Sequence, residues 1–242
     1  MPITGFAAGF INTLAGSGTL ITLPVLILLG LPANVANGTN RVGVLIQGAV
    51  AVATFRQRGA LHQAGALLLV VPAVLGAVLG ARLAVDLDEI VLRRTIGVLM
   101  IVLLVIMLVR PERWLASATQ RHARPWLEVP LFFAIGVYGG FIQAGVGIFL
   151  IAGLVLGAGY DLVRANAVKN VITLAYTVFA LLVFVANGQV AWTLGLLLAA
   201  GQGIGAWVAA RLAVQRGARF VRWFVVAIVV LSAAALFAGL RV

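Results

Sequence analysis

The amino-acid sequence predicts an all-α polytopic membrane protein made of two related repeats, each with four hydrophobic segments. Three observations carry this. Of the 242 residues, 63% are hydrophobic and only 10% charged, whereas a soluble domain has roughly a quarter charged and about half apolar residues. Polar surface could not cover that much apolar side chain, so lipid must solvate most of it. The apolar residues also fall into runs near the ~20 residues that cross a hydrocarbon layer as helix. Finally, the chain repeats itself. GFAAGFINTLAGSG from Gly5 returns as GVYGGFIQAGVG from Gly136, ANGTNRV from Ala36 as ANAVKNV from Ala165, and GARLAV from Gly80 as AARLAV from Ala209. Duplication in so apolar a chain is typical of transporters, which place their substrate site where the repeats meet.

The runs follow in order at 3–30, 35–56, 61–85, 90–110, 127–158, 161–186, 190–214 and 220–240. The polar stretch RPERWLASATQRHAR, from Arg110, divides a first repeat, 1–110, from a second, 127–242, with 111–126 as linker. Runs 3–30 and 127–158 are too long for one simple span and carry mid-run glycines: Gly16 and Gly18 in one, Gly145 and Gly147 in the other. Glycine costs about 1 kcal/mol against alanine inside a helix, and Pro24 is expected to interrupt the first run as well. Each run therefore reads as two half-helices joined by a glycine-rich break. Broken backbone at membrane depth survives only inside protein or beside a water-filled cavity. Trp114, Trp126, Trp192 and Trp223 fall near segment ends, as interfacial aromatics do.

Charge narrows the topology and the partners. The net charge is +11, but most basic residues lie in short loops between apolar runs, which orients membrane proteins and contacts anionic headgroups rather than nucleic acid. If both broken runs are re-entrant, the second repeat is inverted relative to the first. With the linker in the cytoplasm, 12 of the 17 basic residues then lie inside. Eight full crossings place ten inside and strand the linker outside, so the positive-inside rule mildly favours inversion. Fully spanning first segments stay open as an alternative. The expected location is the plasma (inner) membrane of a prokaryote, with no signal peptide, since the N-terminal run holds a repeated motif. Cysteine is absent, and His62 and His122 have no metal-ligand spacing around them, so neither metal nor cofactor is expected. Oligomeric state is open, although small membrane repeats often pair as homodimers.

Candidate functional residues cluster at two places in each repeat. One is the glycine break: Asn12, Gly16, Ser17, Gly18 and Thr19 in the first half, Gln143, Gly145 and Gly147 in the second. The other is the start of the next helix: Asn37, Thr39, Asn40 and Arg41, matched by Asn166, Lys169 and Asn170. At 3.6 residues per turn, Asn37, Asn40, Arg41 and Val44 share a face, as do Asn166, Lys169, Asn170, Thr173 and Thr177. Each repeat thus offers free backbone N–H groups, a cation and amides, which suits an anion. All six acidic residues lie in loops or at segment ends. That disfavours a carboxylate sodium site, a carboxylate proton relay and a cation pump. Other readings of these residues stand beside this one. Gly76, Gly80, Gly203 and Gly205 read as close-packing glycines. Asn37 and Asn166 could be interhelical glue, and Arg41 and Lys169 could snorkel to headgroups. Arg82 and Arg211 read as topology anchors, and Gln47 and Gln202 are mid-segment residues that could line a pathway.

Together the opening GFAAGFINTLAGSGTLITLPVL, the following LGLPANVANGTNRV and their weaker second copy resemble the sulfite exporter TauE/SafE family, also called the 4-toluene sulfonate uptake permease family. The resemblance covers essentially the whole chain. It implies a membrane carrier that moves sulfite, sulfonates or related organic anions by secondary transport. By matching motif, it carries a substrate role onto Asn12, Ser17, Asn37, Asn40, Arg41, Gln143, Asn166, Lys169 and Asn170. Many relatives have a longer glycine run where this chain has Gly16-Ser17-Gly18-Thr19, and the second copy turns apolar after Gly147, so the half-sites are expected to be unequal.

The functional expectation is a carrier for a small anion, bound near the midplane between the glycine breaks, with Arg41 and Lys169 supplying charge and the repeats rocking to alternate access. Rival readings are a cation or neutral-solute carrier, a non-transporting subunit of a larger complex, and a membrane-embedded enzyme. The last would need an activated nucleophile, and no histidine is placed to activate Ser17. Substrate, direction and coupling ion are not legible in the sequence.

Overall fold

The computed structural model describes residues 1–61, 66–108 and 125–239. The linker residues Arg110, Arg113, Trp114, Arg121 and Arg124, and both histidines, lie outside the described residues. Helix α1, Pro2–Ala15, begins with proline at its first turn, where a missing N–H costs nothing. It stops at Gly16, whose left-handed backbone (φ 74°) lets its N–H return to the Asn12 carbonyl at 2.8 Å. Helix α2, Thr19–Leu28, then runs unbroken through Pro24. The first run therefore breaks at Gly16–Gly18 and not at the proline. Gly18 packs directly on Ala8 and Asn12, so the chain turns back against α1 at the break.

Helices α3 (Ala33–Gln57), α4 (Ala66–Asp86) and α5 (Glu89–Leu108) follow. Helix α6, Pro125–Phe141, ends at a second break. There Gln143 (φ 67°) and Gly145 (φ 68°) are left-handed, and the Tyr138 hydroxyl donates to the Ala144 carbonyl at 2.6 Å. The short α7, Val146–Ala152, runs into one π-helical stretch, Gly153–Gly157. Helix α8, Leu162–Ala186, is capped by the Asp161 carboxylate, which accepts from the Val163 and Arg164 N–H groups. The last two predicted runs form two helices within Trp192–Gly239, together labelled α9, joined at Gly217, whose backbone (φ 71°, ψ −169°) is not helical.

Packing follows glycines spaced by four. Gly201 and Gly205 of α9 press onto the backbone of α1 at Pro2, Phe6 and Phe10, and Gly5 and Gly9 reciprocate from α1. Gly76 and Gly80 of α4 press onto α6 at Phe133, Val137 and Phe141, and Gly136 and Gly140 reciprocate. Small residues four apart let helix backbones approach closely within lipid. A Cβ added at Gly203 would meet Ile46 and Val50 only at ordinary contact, 3.5 and 3.7 Å, so the packing role falls on Gly201 in its place. In the centre α3 and α8 run antiparallel, Gly38 against Phe184 and Gly48 against Leu174. At one end, the start of α3, the end of α4 and the α8–α9 loop meet. There the Ala191 N–H donates to Thr39 Oγ1 at 2.8 Å and Gln189 Nε2 to the Val85 carbonyl at 3.4 Å.

The distribution of polarity is inverted relative to a soluble protein. Leu68, Val71, Leu75 and Leu79 form an exposed apolar stripe along α4, whereas Asn37, Asn40, Arg41, Asn166, Lys169 and Asn170 are each at most 1% exposed. Among the described residues three helices are long and apolar enough to cross a membrane: Leu68–Asp86, Leu162–Ala186 and Trp192–Val221, with mean hydropathy 2.2, 2.0 and 1.5. Helix α3 matches α8 in length, 25 residues, and like it buries a polar face, here Asn37, Asn40, Arg41 and Gln47.

Candidate functional site

The two glycine breaks touch. The Gly147 N–H donates to the Gly16 carbonyl at 3.3 Å, and a Cβ on either glycine would fall onto the other's backbone. Beside this contact lies a cavity of about 10 Å³, lined by Asn12, Gly16, Gln47, Gln143, Val146, Gly147, Lys169, Asn170 and Thr173. It is about the space that one water needs. Its lining holds an ammonium, four carboxamides and a threonine, and no carboxylate.

Helix ends explain where the buried cations go. The last carbonyls of a helix have no partner within it and carry the negative end of its dipole. Lys169, from α8, donates to the Asn12 carbonyl at 2.9 Å and the Thr13 carbonyl at 2.7 Å, in the last turn of α1. Arg41, from α3, does the same for α6: Nη1 donates to the Gly139 carbonyl at 3.3 Å and Nη2 to the Gly140 carbonyl. Asn37 Nδ2 adds the Phe141 carbonyl at 2.7 Å. The Asn12 carbonyl also accepts the Gly16 N–H; a carbonyl left wholly unmet in the interior would cost about 1–3 kcal/mol. Both cations are thus held without a carboxylate, and neither snorkels to the surface.

Amides complete the seam. Asn12 Nδ2 donates to Gln47 Oε1 at 2.5 Å, and Gln47 Nε2 donates to Thr13 Oγ1 and Asn170 Oδ1 at 3.2 and 3.3 Å. Asn170 Nδ2 reaches the Asn166 carbonyl at 2.8 Å, and Gln143 Nε2 reaches Thr177 Oγ1 at 3.0 Å. Asn40 ties α3 to α2, accepting from Thr22 Oγ1 at 2.6 Å and donating to Thr19 Oγ1 at 3.3 Å.

Of the residues singled out in the sequence, Asn12, Gly16, Gln143, Gly147, Lys169 and Asn170 come together on the cavity. Ser17, Gly18 and Gly145 form the breaks beside it. Asn37, Thr39, Asn40 and Arg41 lie elsewhere, tying helices to one another, and the Arg41 guanidinium sits 4.7 Å over the Phe184 ring. Among the described residues, Ser17 Oγ, Arg41 Nε, Gln143 Oε1 and both polar atoms of the Asn166 side chain are buried with no hydrogen-bond partner. Gln47 lines the cavity, while Gln202 packs against Gly43 instead. The signal for Gln47 was a polar side chain in the middle of an apolar segment. Val146 gave none, being one apolar residue among many. No group of three His, Asp or Glu residues that could hold a metal ion occurs among the described residues.

An apolar exterior, helices broken in the buried interior and a buried polar seam without carboxylates define an integral membrane protein of the transporter class. The chain belongs to the TauE/SafE family: the family profile described as Sulfite exporter TauE/SafE matches residues 1–236. Relatives include a probable membrane transporter protein, ORF9, of Sinorhizobium sp, 31% identical over 91% of this chain and 84% of its own length. A probable membrane transporter protein of Haemophilus influenzae is 27% identical over 92% of this chain and 87% of its own. YfcA of Escherichia coli, also named a probable membrane transporter protein, is 29% identical over 90% and 81%. No solved structure matches the chain.

Proposed function

We propose that this protein is a secondary carrier of a small anion, sulfite or a short organosulfonate, in a prokaryotic plasma membrane. The observation that carries the reading is the cavity where the two glycine breaks meet, with the Lys169 ammonium and carboxamides in its lining and no carboxylate. Such a lining offers donors to oxyanion oxygens and nothing to balance a cation. The family name points to the same chemistry.

The carrier works by alternating access between two inverted repeats with re-entrant first segments. Three features support this arrangement. Gly18 packs back against α1, and α3 and α8 are antiparallel at the centre. The Thr39–Ala191 hydrogen bond also joins the start of α3 to the α8–α9 loop, two places that eight full crossings would put on opposite sides. A cavity of about 10 Å³ is too small for a sulfur oxyanion, so the halves must part around Gly16 and Gly147 to admit one.

The test is flux into liposomes holding the purified chain, with sulfite, thiosulfate, sulfoacetate and sulfate offered in turn. Saturable flux of one sulfur oxyanion is expected, reduced by about tenfold or more in Lys169→Met, the size of one lost charge-assisted hydrogen bond. Flux of a cation or neutral solute that none of these anions inhibits would overturn the reading.

A further inference from the structure

The two buried cations are built differently. Arg41 is held by both arms of its fork, with Nε alone left unpartnered. Its planar fork spends Nη1 and Nη2 on the Gly139 and Gly140 carbonyls, Nη2 also reaches Asn37 Oδ1 at 3.4 Å, and the guanidinium lies over Phe184. It does not line the cavity. Lys169 does. An ammonium has three donors, and two carbonyls, of Asn12 and Thr13, take two of them. Lysine is also a compact charge on a flexible four-carbon stem, whereas the arginine fork is pre-organised.

We propose that Lys169 is an anion-operated latch. Its ammonium passes from the Asn12 and Thr13 carbonyls to an anion entering the cavity, and the last turn of α1 is thereby released, while Arg41 keeps α6 fastened throughout. This rests on the anion-carrier reading above. The electrostatics favour the exchange, because a helix C-terminus presents about half an elementary charge and an oxyanion presents at least a whole one. The consequence falls where room is needed. The Asn12 carbonyl also accepts the Gly16 N–H, and Gly16 accepts the Gly147 N–H, so loosening the end of α1 loosens the contact between the two breaks. The unequal half-sites thus divide the labour: the α6 side is a fixed anchor, and the α1 side moves.

Amide hydrogen exchange of the full chain, read over residues 13–18 and 139–145, tests this beside liposome flux, with sulfite and sulfoacetate as probes. Saturating anion is expected to speed exchange at 13–18 and leave 139–145 unchanged. Lys169→Met is expected to exchange fast at 13–18 with or without anion. Lys169→Arg keeps the charge and guards against a folding defect; its exchange there should stay slow and unresponsive, with maximal flux down about tenfold or more. In Arg41→Lys the anion response at 13–18 should persist. Saturable flux with no change at 13–18, or Lys169→Arg behaving as the unmodified protein, would overturn the latch while leaving the carrier reading intact. Flux of neither anion would remove both.

Discussion

Gly16 and Gly147 meet backbone to backbone, and Gly16 is constrained twice over. Gly16 has a left-handed backbone, and a Cβ there would fall on the Gly147 backbone. A left-handed alanine costs roughly 1–2 kcal/mol, and forced overlap in a packed interior adds about 1–3. Gly16→Ala should therefore lose about 2–5 kcal/mol of stability, or fail to fold, in thermal unfolding of the detergent-purified protein. Gly30→Ala is the control: its φ is 90° but nothing lies within 4 Å, so only the backbone cost applies. Equal destabilisation by both would mean that the glycine–glycine contact does not hold the breaks together. The sequence showed both glycines as repeated features, since each sits among polar residues in an apolar run. That they touch was not legible, because a contact across 131 positions leaves no local trace. The same holds for Arg41 and Lys169: their chemistry was visible, but their partners are backbone carbonyls, which every residue has and no motif records.

At the scale of elements, helix phase decides which glycine matters. Gly201, Gly203 and Gly205 sit within five residues of each other on α9, yet only the outer two share the face against α1. Gly205→Ala would set a Cβ on the Phe6 carbonyl and 2.8 Å from the Phe10 nitrogen, with backbone on both sides and no side chain able to yield. Its cost should be about 1–3 kcal/mol. Gly203→Ala meets only Ile46 and Val50 methyls at van der Waals distance, and should be neutral or slightly stabilising because alanine favours helix. Thermal midpoints of the two variants settle the pair, and a reversed order would show that α1 and α9 do not pack in this register. The break in the first run had a similar ambiguity. Gly16, Gly18 and Pro24 all weaken a helix on paper, but the left-handed Gly16 ends α1 and Pro24 is absorbed inside α2. Propensity marks candidates for a break, and tertiary contact with Ala8 and Asn12 chooses among them.

Across the whole molecule, the two arrangements that charge counting left open differ in which positions share a side of the membrane. In the inverted arrangement, Arg58 at the end of α3 and Arg164 at the start of α8 face one side, and Gly30 and Gly188 face the other. Eight full crossings would separate the members of each pair. All four positions are exposed, and the chain has no cysteine of its own, so single cysteines at them can be labelled from either side of sealed vesicles. Arg58→Cys and Arg164→Cys should react from the cytoplasmic face, and Gly30→Cys and Gly188→Cys from the opposite one. The Thr39–Ala191 hydrogen bond makes this more than a restatement of the positive-inside rule. It places the start of α3 beside the α8–α9 loop without reference to any charge. Labelling of Arg58→Cys and Arg164→Cys from opposite faces would mean the first segments cross fully. The glycine contact, the reciprocal capping of α1 by α8 and of α6 by α3, and the latch at Lys169 would then need a different geometry. Labelling from one face leaves a carrier whose two halves are each closed by a cation borrowed from the other, with Lys169 as the cation that the cavity can reach.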